Sequence, residues 1–114
     1  MFGWFGLGGD HKTYSPGELW DLMRDPKSEM VLVDVREHRE LANGQIPGSL
    51  HAPLSNFETS LSKLPKDKKL VFYCQSGMRS RTALGHAKKL GYQADGHLGG
   101  GISEWRRFEK PVTR

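Results

Sequence analysis

The chain carries one cysteine among its 114 residues, and the residues around it are of the kinds that would activate a thiol. It opens the run Cys74-Gln75-Ser76-Gly77-Met78-Arg79-Ser80. An apolar stretch leads into Cys74, and a helical pattern starts directly after it. Backbone N–H groups in such a loop can curl inward as an anion-binding nest. The first turn of the following helix adds unpaired N–H donors and the positive end of its dipole. Both effects favour a thiolate, which is the nucleophile that sulfur chemistry needs. Gly77 permits a sharp turn with positive φ. Arg79 adds a fixed charge and a fork of donors suited to an oxyanion such as a sulfonate. An arginine in the first helical turn opposes the helix dipole, which argues for a ligand there rather than a plain surface position. An inert core cysteine is the competing reading, since free cysteine is often buried. It does not account for strand, cysteine, glycine loop, arginine and helix in this order. Cys74 is thus the expected nucleophile. Gln75, Ser76, Gly77, Met78, Arg79 and Ser80 are the expected substrate-binding set.

Elements must bring this loop into place. Lys69 to Cys74 reads as a strand, and so does the nearly continuous apolar run from Met30 to Val35, which suits burial on both faces of a parallel sheet. Ser15-Pro16-Gly17-Glu18 predicts a helix start, with a capping serine, a proline at the first position and Glu18 three residues on. Leu19, Leu22 and Met23 continue it, and Asp25-Pro26 ends it. A short helix is expected over 37–43, stopped by Gly44, then a turn at Ile46-Pro47-Gly48 and a short strand over 49–52. Helices are expected over 54–64, from about 79 to 90 with Gly91 as its stop, and over 102–108. A last strand is expected over 94–98. This alternation predicts an α/β domain: a central, mainly parallel sheet flanked by helices on both faces. In such folds the ligand site lies beyond the carboxyl ends of the strands, where Cys74 falls.

Composition narrows the function classes. The length suits one domain, placed at 13–110, with a flexible Gly- and aromatic-rich segment at 1–12 and a tail at 111–114. The net charge of +4 reads as a solvated basic surface rather than a nucleic-acid face, and no zinc-finger or RNA-binding signature accompanies it. One cysteine cannot form an internal disulfide, so a cytoplasmic setting is the default expectation. No apolar run reaches the length of about 18 residues that a membrane span needs. The five histidines show no metal-ligand spacing and read as solvated or capping residues. Asp95 and Glu104 show no acid–base pairing.

At its cysteine loop the chain resembles the rhodanese homology domain. Three more stretches share the resemblance. Val33-Asp34-Val35-Arg36-Glu37 is similar to that family's Asp-x-Arg motif, and Gly44 to Ser49 to its Gly-His-Ile-Pro-Gly-Ala turn. Leu98 to Trp105 resembles its terminal Leu-x-Gly-Gly-x-x-x-Trp motif. The resemblance implies a three-layer fold and a two-step transfer of sulfur by a single-domain thiosulfate sulfurtransferase. Cys74 would take the outer sulfur of thiosulfate or a persulfide donor, then pass it to cyanide or a thiol. A protein acceptor would fit the same scheme. The backbone from Gln75 to Ser80 would cradle the persulfide. Asp34 and Arg36 would form a buried structural pair, and Trp105 would be a core residue. No metal or organic cofactor is implied, and the chain is expected to be a monomer or weak dimer. Departures from the family are Gln45 for histidine, His51 where asparagine is common, Ser76 for a basic residue of the two-domain members, and Glu40 near the place of another arginine. They point to weak thiosulfate binding.

Two readings compete with this. Cysteine-dependent phosphatases and arsenate reductases on the same fold use a Cys-x5-Arg loop, which wraps a tetrahedral phosphate. Only four residues separate Cys74 from Arg79, a ring sized for a single sulfur atom. A non-catalytic sulfur-carrier or regulatory module is the other reading, and the presence of Cys74 weighs against a purely regulatory one.

Overall fold

The computed structural model describes residues 11–113. Five strands alternate with the helices. They are β1 (Lys12–Tyr14), β2 (Met30–Asp34), β3 (Leu50–His51), β4 (Lys69–Tyr73) and β5 (Ala94–Leu98). The α-helices are α1 (Pro16–Arg24), α2 (Phe57–Leu61), α3 (Met78–Lys89) and α4 (Gly101–Arg107). Two 3-10 helices, His38–Asn43 and Leu54–Asn56, lie between β2 and α2. The sheet runs β1-β5-β4-β2-β3, and every pairing is parallel.

β4 is central, which explains why it is apolar on both faces. Its side chains alternate: Leu70 and Phe72 join the core with Phe57, Leu61, Ala83, Leu84 and Ala87, beneath α2 and α3. Val71 and Tyr73 face Leu19, Ile102 and Trp105, beneath α1 and α4. Period two on a strand with both faces covered gives this three-layer arrangement. Trp105 is fully buried, as expected, and its indole N–H donates to Pro111 O at 2.8 Å.

The helix signals act as read. Ser15 Oγ accepts from Glu18 N at 3.2 Å, and the Glu18 carboxylate accepts from Ser15 N at 2.9 Å, closing a capping box. The helix expected over 54–64 is broken instead. A 3-10 turn comes first, and regular α-helix covers only Phe57–Leu61. Its buried residues, Phe57 and Leu61, are one turn apart, so a single turn meets the packing need. The segment over 37–43 is a 3-10 rather than an α-helix.

β1 has no apolar signature and was not anticipated. It forms an edge strand whose role is to pair with Gly96–Leu98 of β5. His11 and Lys12 of the expected flexible segment thus belong to the described body, and its residues 1–10 lie outside the described residues. The expected tail also packs back: Thr113 N donates to Gln45 O at 2.8 Å, and Gln45 N to Thr113 O at 3.2 Å.

Candidate functional site

β4 ends at Tyr73, and Cys74 follows at the carboxyl end of the central strand. Its side chain is only 1% exposed. Two backbone donors converge on it. Gly77 N lies 3.0 Å from Cys74 Sγ, and Ser80 N lies 3.3 Å from it. Gly77 makes this turn with φ +110°, a conformation that side chains rarely adopt. It also caps α3, so the donors come from the loop and from the first turn of a 12-residue helix. Of the loop from Gln75 to Ser80, Gly77 and Ser80 supply the backbone donors that meet the sulfur.

The terminal glycine motif holds the other side of the loop. The N–H groups of Ile102 and Ser103, in the first turn of α4, donate to Cys74 O at 2.9 Å and Gln75 O at 3.1 Å. Both loop carbonyls are thereby satisfied by α4. Gly101 makes this approach possible. A Cβ there would sit 2.5 Å from Cys74 O, would also meet Gln75 O, and would be strained at φ +60°. Gly101→Ala should therefore destabilise the fold by about 1–3 kcal/mol and displace the loop. Chemical denaturation would measure the first effect and Cys74 alkylation the second. Wild-type values in both would show that the contact can relax.

The other expected binding residues have separate places. Gln75 is exposed, and its amide N–H donates to Ser103 Oγ at 2.8 Å, a second tie between loop and α4. Ser76 is exposed. Met78 is 80% exposed at the start of α3. The Ser80 side chain is buried and turned away from solvent, with Oγ 3.1 Å from Gly77 O and 2.8 Å from His97 Nδ1. Arg79 is engaged by a carboxylate: its fork meets both oxygens of Glu40, at 2.7 and 2.8 Å. The hydrogen bonds from Arg79 hold the Glu40 carboxyl down at about 2, despite some opposing desolvation. Glu40 is therefore ionised throughout the neutral range.

Asp34 and Arg36 form the expected buried pair, 0% and 1% exposed. Arg36 donates from Nε to Asp34 Oδ1 at 3.0 Å and from a terminal nitrogen to Oδ2 at 2.8 Å. The same guanidinium reaches Gly44 O at 2.8 Å and Glu40 O at 3.3 Å. It thus fixes the 3-10 segment that presents Glu40 to Arg79. His51, one of the departures noted above, contacts Arg36 O through Nε2 at 2.6 Å.

His97 is buried, not solvated, because β5 is covered on both faces and its side chain lies under α3. No spacing rule marks it, and its strand, Ala94–Leu98, carries Asp95, Gly96 and His97 between its two apolar ends. Asp95 serves structure, accepting from Tyr14 O–H at 2.5 Å. Among the described residues no three His, Cys, Asp or Glu side chains gather as a metal site, and no helix is long and apolar enough to cross a membrane.

A cysteine held by two amides at the end of a central parallel strand is the feature to set against known proteins. The family model described as the rhodanese-like domain matches residues 15–108, and the chain belongs to that family. A sulfurtransferase of Allochromatium vinosum is 38% identical over 85 residues, which cover 75% of this chain and 79% of the relative. The human thiosulfate:glutathione sulfurtransferase is 35% identical over 111 residues, covering 85% and 95%. Among solved structures, a rhodanese-related protein of Thermoplasma volcanium superposes with a TM-score of 0.80 at 28% identity, covering 90% of this chain and 98% of that one. A Rhodopseudomonas palustris protein described as of unknown function, a possible tyrosine phosphatase, also gives 0.80, at 32% identity and 90% and 85% coverage.

Proposed function

We propose that the chain is a sulfurtransferase that carries sulfane sulfur on Cys74. The observation that carries this reading is the convergence of Gly77 N and Ser80 N on Cys74 Sγ. Two amides aimed at a sulfur stabilise an anion there, whether thiolate or terminal persulfide. The sulfurtransferase names of the relatives support it.

The steps balance without a cofactor. The Cys74 thiolate attacks the outer sulfur of thiosulfate, a Cys–S–S bond forms, the donor's S–S bond breaks, and sulfite leaves with the electron pair. A nucleophile, cyanide or a thiolate, then attacks the terminal sulfur and takes it as thiocyanate or a new persulfide. The Cys74 thiolate returns as the leaving group. A persulfide donor enters the first step in the same way, leaving as its thiolate. The short ring from Cys74 to Arg79, with the Arg79 fork turned to Glu40, favours this over phosphate chemistry. Parallel assays with thiosulfate and with an aryl phosphate decide between them; phosphatase turnover exceeding sulfur transfer would reverse the assignment.

Glu40 bears on which donor is used. It occupies the guanidinium that an anionic donor would otherwise recruit. Glu40→Gln keeps the shape and removes the charge. It should lower the KM for thiosulfate by about threefold to tenfold with little change in kcat, as expected when one charge-assisted contact becomes available. An unchanged or higher KM would show that Arg79 does not meet the donor.

A further inference from the structure

His97 is a buried titratable side chain that the transfer steps above leave unused. It projects from β5 beneath the start of α3. Its Nδ1 lies 2.8 Å from Ser80 Oγ, and its Nε2 lies 3.4 Å from Thr13 Oγ1 on β1. Ser80 is itself fully buried and is bonded in two directions. Its Oγ–H lies 3.1 Å from Gly77 O, and its N–H points at Cys74 Sγ. Gly77 supplies the other donor to that sulfur. The hydroxyl held by His97 therefore belongs to one of the two sulfur donors and is bonded to the residue that supplies the other.

A consistent set of donors and acceptors follows. Ser80 O–H donates to Gly77 O, so Ser80 Oγ has a free lone pair that needs a donor in a buried site. His97 Nδ1–H meets that need, and Nε2 accepts from the Thr13 hydroxyl. Without the imidazole, Ser80 Oγ would lose a partner where water does not replace it, and the hydroxyl would be free to turn away from Gly77 O. The two amides would then lose the bond that ties them together.

We infer that His97 is a positioning residue for the chemistry at Cys74, holding the Ser80 hydroxyl so that the Gly77 and Ser80 N–H groups stay aimed at the sulfur. The inference rests on the reading of Cys74 as the nucleophile. Burial keeps the imidazole below its ordinary value of 6.5, and the charges of Arg81 on α3 and His11 ahead of β1 push it the same way. The His11 ring meets it edge-on, with centroids 5.8 Å apart. A neutral imidazole acts on the sulfur through this hydrogen-bond chain rather than through charge.

The test is alkylation of Cys74 by iodoacetamide from about pH 5 to about pH 10, followed by intact mass on the full chain, with melting temperature recorded for each variant. His97→Leu should alkylate roughly tenfold more slowly near pH 7, with its rate profile displaced to higher pH, a smaller loss than removal of an anion donor itself would cause. His97→Asn places an amide where Nδ1 was and should return the rate to within about twofold of wild type. A folded His97→Leu with the wild-type profile would overturn the inference, since a purely structural histidine would change the melting temperature alone. If His97→Leu does not fold, Ser80→Ala reads the same chain: a displaced profile supports it and a wild-type profile overturns it. Sulfur uptake from thiosulfate, measured in the same samples, separates the two readings. A wild type that takes up none, from thiosulfate or from a persulfide donor, fails the transfer reading, whereas the alkylation profiles alone decide the role of His97.

Discussion

Cys74→Ser should yield a folded protein that takes up no sulfur. After incubation with thiosulfate, the wild type should gain the mass of one sulfur atom, and cyanide or dithiothreitol should remove it. The serine variant should gain nothing, and its turnover should fall by on the order of 10⁴-fold or more, the scale seen when a covalent nucleophile is lost. The physical reason is ionisation. The amides of Gly77 and Ser80 can stabilise a thiolate, but a serine hydroxyl ionises far too weakly for two hydrogen bonds to make it a nucleophile. The change should leave the fold intact, because Cys74 packs in the core with Val35, Phe72 and Ala83 and the two side chains are close in size. A serine variant that kept a tenth of the turnover would remove Cys74 from the mechanism. A wild type that gained no mass from thiosulfate or from any persulfide would leave a binding domain rather than a transferase.

Asp34→Ala should give the largest loss of stability of any change near the site. Arg36 is 1% exposed, and among the described residues Asp34 is its one anionic partner by direct contact. Removing the carboxylate strands a guanidinium in the interior, which costs about 3–5 kcal/mol. For a domain of this size that is a fall in melting temperature of roughly 12–25 °C. The KM for thiosulfate should shift as well. Arg36 holds Gly44 O and Glu40 O, so its movement would disturb the segment that reaches Arg79. The double variant Asp34→Leu with Arg36→Met should recover much of the stability, since paired apolar residues avoid the desolvation that the ion pair must offset. Thermal denaturation of the three variants is the check. An Asp34→Ala protein within a degree or two of wild type would mean that Arg36 finds water, contrary to its burial.

The main lines of the site could be read along the chain because local chemistry encodes them. Cys74, Gly77 and the start of α3 are consecutive, so the nest follows from backbone geometry within seven residues. Ser15 and Glu18 cap α1 by contacts three residues apart. The strand at 69–73 is apolar at every position after Lys69 because both of its faces are covered, and that pattern is visible in one dimension. Gly101 was legible as part of a motif. Its reason was not, since the carbonyls it admits lie 26 and 27 residues earlier in the chain.

What the tertiary structure alone decided depends on partners distant in sequence. β1 carries no hydrophobic pattern; it becomes a strand because β5 offers it a free edge. Arg79 reads as an anion ligand by itself, but the fold delivers Glu40 to its fork from 39 residues away. His97 reads as a surface histidine, but α3 closes over β5 and buries it against Ser80. Cys74 and the two amides that meet its sulfur are therefore properties of a short stretch of sequence. The partners around them, Glu40 on Arg79 and His97 on Ser80, are set by how the sheet orders its strands and which helices cover them, because hydrogen bonds and charge act across space and not along the chain.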